Sequence, residues 1–240
     1  MQDAKTHRKT TGSLIVAIDG PAGSGKSTVT HLLAKRLGYT HIDTGALYRA
    51  IALAAAENQV SVDDGERLGV LARSAKLHFQ WLEDRNHIFL NDRNVSNLIR
   101  TPEISMAAST ISAHAQVRDA LLGIQRQMAE RGGAVLEGRD IGTVVFPDAE
   151  VKIFLNASIE ARTERRRVEL ESKGIFLSFD EVKQQVIDRD KQDSERKVAP
   201  LKKAVDAIEI DSTKLSIEQV VESLYRIVRS VEAGLRGQLV

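Results

Sequence analysis

The sequence contains no cysteine, and this absence excludes several kinds of chemistry at once. Among its 240 residues there is no thiol, so disulfides, thiolate metal ligands and a cysteine nucleophile are all excluded. A chain without thiols suits a reducing compartment, and we expect a cytoplasmic protein. Any catalysis must therefore use other functional groups.

The sequence also lacks an excess of charge of either sign and any long apolar run. Its 34 Lys and Arg residues nearly balance its 33 Asp and Glu residues, for a net charge of +1. This balance argues against binding to nucleic acid or to an anionic membrane through bulk charge. No apolar run approaches the roughly 20 residues that cross a bilayer, and residues 1–13 have no apolar stretch of signal-peptide type. We expect a soluble protein with a loose tail over residues 1–13. Any anion that the protein binds must be held by a local cluster of residues and not by net charge.

Short apolar runs alternate with helical patterns along most of the chain. The runs have the length and composition of buried strands. Between most of them, apolar residues recur at the spacing of a helix with one buried face. This alternation predicts an α/β fold in which helices flank a five-stranded parallel sheet. The predicted strands are residues 14–19, 39–42, 134–137, 151–155 and 207–210.

One segment, residues 75–95, breaks the alternation. It contains two runs in which apolar and polar residues alternate, on either side of a polar turn at residues 83–86. That pattern is typical of an antiparallel hairpin. Because 42% of the residues are hydrophobic, the chain can form a sizeable core, and we expect one domain over residues 14–240 with this hairpin as a small insert.

The most specific motif lies directly between the first predicted strand and the first predicted helix. Residues 20–27 read GPAGSGKS, which matches the phosphate-loop pattern G-x-x-x-x-G-K-[ST] in its proper context. Glycines allow successive amides to converge on phosphate oxygens, and the helix N-terminus adds its positive dipole. Lys26 can bridge β- and γ-phosphates, and the Ser27 hydroxyl can bind Mg²⁺. A glycine-rich turn with an exposed lysine is the alternative, but it does not explain the strand and helix on either side.

The motif therefore predicts a site for a nucleoside triphosphate with Mg²⁺. The predicted nucleotide-binding residues are Gly20, Pro21, Ala22, Gly23, Ser24, Gly25, Lys26, Ser27 and Thr28.

Two further motifs follow predicted strands. Residues 43–49 read DTGALYR; Asp43 or Thr44 can cap the next helix, and Arg49 points away from its apolar face. Residues 137–149 read EGRDIGTVVFPDA and open at the carboxyl end of a strand, where open α/β sheets bind ligands. The alternatives are a solvated helix arginine in the first motif and a salt bridge that stabilises a turn in the second.

A third feature is the charged stretch over residues 161–200. It holds ten Lys or Arg and nine Asp or Glu residues with few apolar positions, so we expect it at the surface. Arg162, Arg165 and Arg166 share one face of the helix that Ser158 would cap. A charged helix face with internal ion pairs is the alternative, but beside a triphosphate loop we expect a lid.

Taken together, these motifs resemble those of the bacterial cytidylate kinase family. The segments GPAGSGKST, DTGALYRA, EGRDIGTVVFPDA, VKIFLNAS and IDST match in order and spacing from about residue 14 to residue 230. The chain lacks the Asn-Lys-x-Asp motif expected of a GTPase. The resemblance implies a P-loop kinase domain that transfers the γ-phosphoryl group of ATP to CMP or dCMP with Mg²⁺. It also implies a monophosphate-binding region over about residues 44–118, a helical lid over about residues 160–200 and a monomer.

The resemblance also implies roles for individual residues. Lys26 and the lid arginines Arg162 and Arg166 would act on the donor side. The residues implied around the acceptor phosphate are Thr44, Arg49, Arg139 and Arg189, and Asp43 beside them is an implied CMP-binding residue. Arg139 and Arg189 are implied to be catalytic together with the donor-side residues. The implied readers of the base are Ser109, Arg118 and Asp140, and those near the sugar are Asp193 and Arg196.

Two other functions stay open on the sequence. The first is another small-molecule P-loop kinase, with UMP or a sugar acid as acceptor. The second is an ATP-gated module whose basic helix binds RNA, which the matching acidic residues in that region disfavour.

Overall fold

The computed structural model describes residues 13–82 and 85–237. Most of the expected tail, residues 1–12, lies outside them, as do residues 83 and 84 of the expected hairpin turn. The chain forms two compact units. We call residues 13–41, 129–195 and 201–237 the sheet unit, and residues 42–128 with 196–200 the insert unit.

Helices separate most of the predicted strands, as the sequence predicts, and only a short turn lies between the third and fourth of them. The strands are β1 (Ile15–Asp19), β2 (Thr40–Asp43), β3 (Leu77–Leu82), β4 (Arg85–Leu90), β5 (Arg93–Asn94), β6 (Ala134–Gly138), β7 (Val151–Asn156) and β8 (Ile208–Asp211). The helices are α1 (Lys26–Leu37), α2 (Thr44–Glu57), α3 (Gly65–Ser74), α4 (Pro102–Ile111), α5 (Ala115–Met128), α6 (Ile159–Glu171), α7 (Phe179–Glu195) and α8 (Ile217–Gly237).

The five predicted strands form one parallel sheet with the order β2-β6-β1-β7-β8, which confirms the predicted fold class. The central strand β1 is buried throughout. It pairs with β6 so that Ile18 lies opposite Glu137 and Asp19 opposite Gly138. Side chains at the carboxyl ends of β1 and β6 therefore lie close together, next to the turn that enters α1.

The core of the sheet unit is formed by the sheet and the helices packed on it. Leu33 of α1 and Leu224 of α8 are buried in one apolar cluster with residues of β1 and β7, among them Val16 and Leu155. Gly38 ends α1 in a left-handed conformation with φ of 70°. This close packing holds the start of α1 against the end of β1, which is where the phosphate-binding motif lies.

The insert unit has its own core and its own small sheet. Strands β3 and β4 pair antiparallel and β5 adds to β4, so the predicted antiparallel insert is confirmed; β5 is a third strand that the sequence did not predict. The helices of this unit bury residues such as Leu47, Leu68 and Leu121 in a second apolar cluster.

The charged stretch over residues 161–200 contains most of α6 and all of α7. Most of its residues are exposed or partly buried, as the sequence predicts. Leu170, Val182 and Val186 are buried, because these few apolar residues let α6 and α7 pack on each other. Arg162 and Asp193 are buried as well. Within the described ranges, no helix is long and apolar enough to cross a membrane.

Candidate active site

Residues 20–25 form a tight loop between β1 and α1, and Lys26 and Ser27 begin the helix. At Gly20 the backbone has φ of 152°, and a Cβ there would lie 2.0 Å from the carbonyl oxygen of Leu155. Gly25, the residue before α1, is left-handed with φ of 92°. Both positions require glycine because a side chain would collide with β7 or strain the turn. The loop thus presents its amides and the start of α1 at one point, a geometry that suits phosphate oxygens.

Lys26 lies buried across its own loop. Its Nζ donates hydrogen bonds to the carbonyl oxygen of Pro21 at 2.6 Å and to Ser24 Oγ at 3.2 Å. Burial, together with the nearby Arg139 guanidinium, lowers the pKa of Lys26 well below its usual value. A bound polyphosphate would offset both effects, so the amine is placed to bind anionic oxygens.

Ser27, the last residue of the motif, is joined to the neighbouring strands by hydrogen bonds. Its Oγ donates to Glu137 Oε2 at 2.7 Å, and Glu137 Oε1 lies 3.0 Å from Nε2 of His41. Glu137 is near the end of β6 and His41 is in β2. The three side chains therefore link the start of α1 to two strands at the carboxyl edge of the sheet.

Asp19 ends β1 and holds the residues that follow β6. Its two carboxylate oxygens accept hydrogen bonds from the backbone amides of Ile141 and Gly142, both at 2.8 Å. Burial raises the pKa of Asp19 to about 6, although these two hydrogen bonds oppose the rise. Asp19 thus anchors a short π-helical turn over Ile141–Val145, directly after Arg139 and Asp140.

The three arginines on one face of α6 have different partners. Arg162 donates to Ala22 O at 3.2 Å and to Asp190 Oδ2 at 2.6 Å. Arg165 donates to Ser24 O at 3.3 Å and to Ser212 O at 2.7 Å. Two of the three therefore contact the carbonyl side of the phosphate loop. In a trans peptide the N–H points opposite to the C=O. Because these carbonyls point toward α6, the amides bonded to them point toward the side of the loop where phosphate would bind.

The third arginine of this face, Arg166, pairs with Glu169 on the same helix at 2.7 Å. This is the ion pair within the helix that the sequence offered as an alternative for the arginine face.

Among the remaining predicted residues of the sheet unit, Arg139 has a defined partner. Its Nε donates to Asp193 Oδ2 at 2.6 Å. Burial would lower the pKa of Arg139, but Asp193, with Glu137 and Asp190 nearby, raises it overall. Asp140 is buried and Arg189, in α7, is partly buried. The structure thus brings Arg139 and Asp193 together, which the sequence had assigned to different parts of the acceptor.

The predicted residues of the insert unit fall into two groups. Asp43 caps α2 by accepting from the amide of Ala46 at 3.0 Å, and its other oxygen accepts from Arg49 at 2.6 Å. Thr44, beside them, is buried. This group confirms the predicted cap at the start of α2 and holds Arg49 in a defined orientation.

The second group of the insert unit centres on Ser112, just after α4. Arg118 donates to its carbonyl oxygen at 3.3 Å, and Arg196 donates to its Oγ at 3.1 Å. Arg118 also lies over the ring of Tyr48, 5.6 Å from its centre. Ser109 is buried one turn earlier in α4. Two arginines far apart in sequence are therefore brought to one place.

The sequence assigned no separate role to Asp19, Glu137 or His41. The available signal was a charged residue near the carboxyl end of an otherwise apolar strand, which is costly to bury unless it is hydrogen-bonded. Asp19 and Glu137 both fit that description.

A parallel α/β sheet with a phosphate loop after its first strand defines the class of P-loop nucleotide-binding proteins. Solved structures with a similar chain course include a gluconokinase from Sinorhizobium meliloti 1021, with 15% identity, a TM-score of 0.48 and coverage of 95% of this chain and 97% of that chain. A shikimate kinase from Bacteroides thetaiotaomicron has 14% identity, a TM-score of 0.47 and coverage of 90% and 98%.

The family within that class follows from the sequence relatives. The family model for cytidylate kinase matches residues 16–230. Cytidylate kinases from Bacillus cereus (strain ATCC 10987 / NRS 248) and Bacillus thuringiensis (strain Al Hakam) are each 49% identical over 218 residues, which is 91% of this chain and 97% of the relative. The chain belongs to the cytidylate kinase family, and it is a phosphotransferase.

Proposed function

We propose that this kinase transfers the γ-phosphoryl group of ATP to CMP or dCMP and releases ADP with CDP or dCDP. The observation that carries the proposal is the phosphate loop with Lys26 buried across it, in a chain of the cytidylate kinase family. The acceptor oxygen belongs to a phosphate monoester that is already ionised at neutral pH. The chemistry therefore needs no strong general base, and its main obstacle is the approach of two polyanions.

The donor is held by the phosphate loop. Its amides and the N-terminus of α1 bind phosphate oxygens, and Lys26 exchanges its contacts with Pro21 and Ser24 for β- and γ-phosphate oxygens. Arg162 and Arg165 bind loop carbonyls and so keep the amides directed at the nucleotide. The loop supplies fixed positive charge where the transition state develops negative charge.

Mg²⁺ fits the donor atoms near this loop. Magnesium prefers oxygen ligands and is usually held by one or two protein groups together with substrate phosphates. Ser27 and Glu137 provide such oxygens at one point, and the described residues contain no cluster of three or more acidic or histidine side chains that would hold a metal alone. The ion would be held by Ser27 together with the nucleotide, and it would neutralise charge on the transferring phosphoryl group.

We assign binding of the acceptor phosphate to Thr44 and to arginines that are already paired with carboxylates. Arg49 is paired with Asp43, and Arg139 with Asp193, so each guanidinium has a defined orientation before the substrate binds. A planar guanidinium binds a phosphate through two parallel hydrogen bonds. Arg189, which is partly buried in α7, completes this set.

We assign recognition of cytosine to Ser109, Arg118 and Asp140. Cytosine carries an amino group, which a carboxylate or hydroxyl oxygen accepts, while its O2 and N3 need a donor such as arginine. Uracil has a carbonyl in place of that amino group and would face Asp140 acceptor to acceptor. Arg196, at Ser112 beside Arg118, and Asp193 are assigned to the sugar.

We also propose that the helices over residues 160–200 act as a lid. A half-exposed ion pair in them, such as Arg166 with Glu169, can be exchanged for contacts with the nucleotide when the lid closes. Closure would exclude water from the transferring phosphoryl group, and reopening of such lids often limits turnover.

The test is a panel of nucleoside monophosphates with Mg²⁺ and ATP, in which ADP formation is measured for each acceptor. We expect kcat/KM for CMP and dCMP to exceed the values for UMP, AMP and GMP. Equal rates with UMP would remove the cytidine assignment and favour a broader pyrimidine or other small-molecule kinase. Salt-sensitive RNA binding without phosphoryl transfer would instead favour the alternative of an ATP-gated module that binds RNA.

A further inference from the structure

Three side chains of the sheet unit form a chain of hydrogen bonds that ends at the phosphate loop. His41 Nε2 lies 3.0 Å from Glu137 Oε1, and Glu137 Oε2 lies 2.7 Å from Ser27 Oγ. The side chains of His41 and Glu137 are 11% and 5% exposed, so little water competes for the bond between them. Ser27, at the mouth of the loop, is exposed. The His41 ring also makes an edge contact with His31 of α1, at 5.9 Å between ring centres.

The chemistry of the middle group sets the direction of every bond in this chain. A carboxylate has no proton to give and only accepts hydrogen bonds. Nε2 of His41 is therefore the protonated nitrogen, and Ser27 donates its hydroxyl proton to Glu137. With its proton directed at Glu137, the Ser27 oxygen presents only lone pairs to its other neighbours, which is the form that a cation ligand requires.

Glu137 can hold Ser27 in this way only if its own carboxylate does not rotate. The side chain of a glutamate has three rotatable bonds, and the terminal one has a broad energy minimum. The bond from His41 occupies Oε1 and thereby keeps Oε2 on Ser27. In metal sites, groups that orient a ligand from one shell further out change metal affinity without touching the ion.

We propose that His41 is a positioning residue that acts through Glu137 to orient the Ser27 hydroxyl toward the nucleotide-bound cation. This inference rests on the proposed function, because it takes Ser27 to be the protein ligand of Mg²⁺. It assigns to β2 a part in cation binding, although His41 itself touches neither the ion nor the nucleotide.

The test measures binding without turnover. The dissociation constant of ADP is determined by calorimetry with Mg²⁺ and with EDTA, for the parent protein and for His41→Leu, His41→Gln and His31→Ala. We expect His41→Leu to reduce the Mg²⁺-dependent gain in affinity by at least about threefold, toward the range seen for outer-shell partners, and to leave the affinity in EDTA unchanged. His41→Gln, whose amide can still donate to Glu137, restores most of the gain.

His31→Ala is the matched control, because it removes the ring contact and keeps the bond from His41 to Glu137. We expect it to behave as the parent protein does. The inference is overturned if Mg²⁺ raises the affinity for ADP equally in the parent protein and in His41→Leu. It is also overturned if His41→Leu weakens ADP binding equally with Mg²⁺ and with EDTA, because that result would indicate an effect on loop packing only. If the parent protein shows no Mg²⁺-dependent gain, the assignment of Mg²⁺ to Ser27 fails instead, so the two failures are distinguishable.

Discussion

Lys26 is the residue on which the proposed transfer depends most, since it places a cation against the phosphoryl group that moves. We expect Lys26→Ala to lower kcat by on the order of a thousandfold or more, because the substitution removes charge stabilisation that is present only at the transferring group. The measurement is the steady-state rate of ADP formation with CMP. Lys35→Ala is the control, since Lys35 is exposed at the other end of the same helix. A near-normal rate for Lys26→Ala would refute the assigned role.

Asp19, a buried carboxyl group at the end of β1, makes folding stability depend on pH. Its pKa is raised on folding from 3.8 to about 6, so between these values the folded chain holds a proton that the unfolded chain has released. Asp19 therefore contributes stability at low pH, and this contribution, about 3 kcal/mol, is lost as the pH rises through 6.

The check is the free energy of unfolding of the parent protein and of Asp19→Asn between pH 4 and 7.5. Asparagine does not titrate, although its oxygen can accept from only one of the two amides that Asp19 binds. We expect the parent protein to lose stability relative to the variant over this range. If the difference in free energy of unfolding between the two proteins is constant with pH, Asp19 does not titrate between pH 4 and 7.5.

At the scale of elements, α6 supports the phosphate loop from its carbonyl side. Arg165 binds Ser24 O and also Ser212, whose own Oγ donates to Ser24 O at 3.2 Å. We expect Arg165→Ala to raise the KM for ATP about threefold to tenfold, which is less than the loss of a direct hydrogen bond to a charged group would cause, because Arg165 acts on the nucleotide only through the loop. The KM for CMP should change little, because Arg165 acts on the donor loop.

Arg167→Ala provides the comparison within the same helix. Arg167 pairs with Glu164 and Glu171 of α6 itself, so its loss tests for a general effect on the helix. If both variants raise the KM for ATP equally, α6 acts through its stability and not through Arg165.

At the scale of the whole molecule, a nearly neutral chain concentrates its positive charge. The net charge is +1, yet in the sheet unit Lys26 is buried and Arg139 is partly buried, and both lie near the acids Glu137 and Asp193. In the insert unit, Arg49 is paired with Asp43. Nearby acids thus keep the cations in place until an anion binds, and the bulk field stays weak.

Much of the fold was predictable from the sequence because its patterns are local. The strand and helix periods, the glycines of the loop and the stop at Gly38 each depend on residues close together along the chain. The parallel sheet and the hairpin insert follow from those patterns. Most of residues 161–200 are exposed or partly buried, as predicted. The burial of Leu170, Val182 and Val186 did not follow from the sequence, because they are sparse and become a core only when α6 and α7 meet.

The sequence by itself determined the phosphate loop, because eight consecutive residues carry both the backbone geometry and the chemistry. It also determined the family, whose motifs match along most of the chain. Only the tertiary structure decided the partners of those residues: His41, Glu137 and Ser27 come from three segments, and 96 and 110 positions separate the members of the two bonded pairs. Such contacts depend on which strands lie side by side in the sheet, and local sequence carries no direct record of that order.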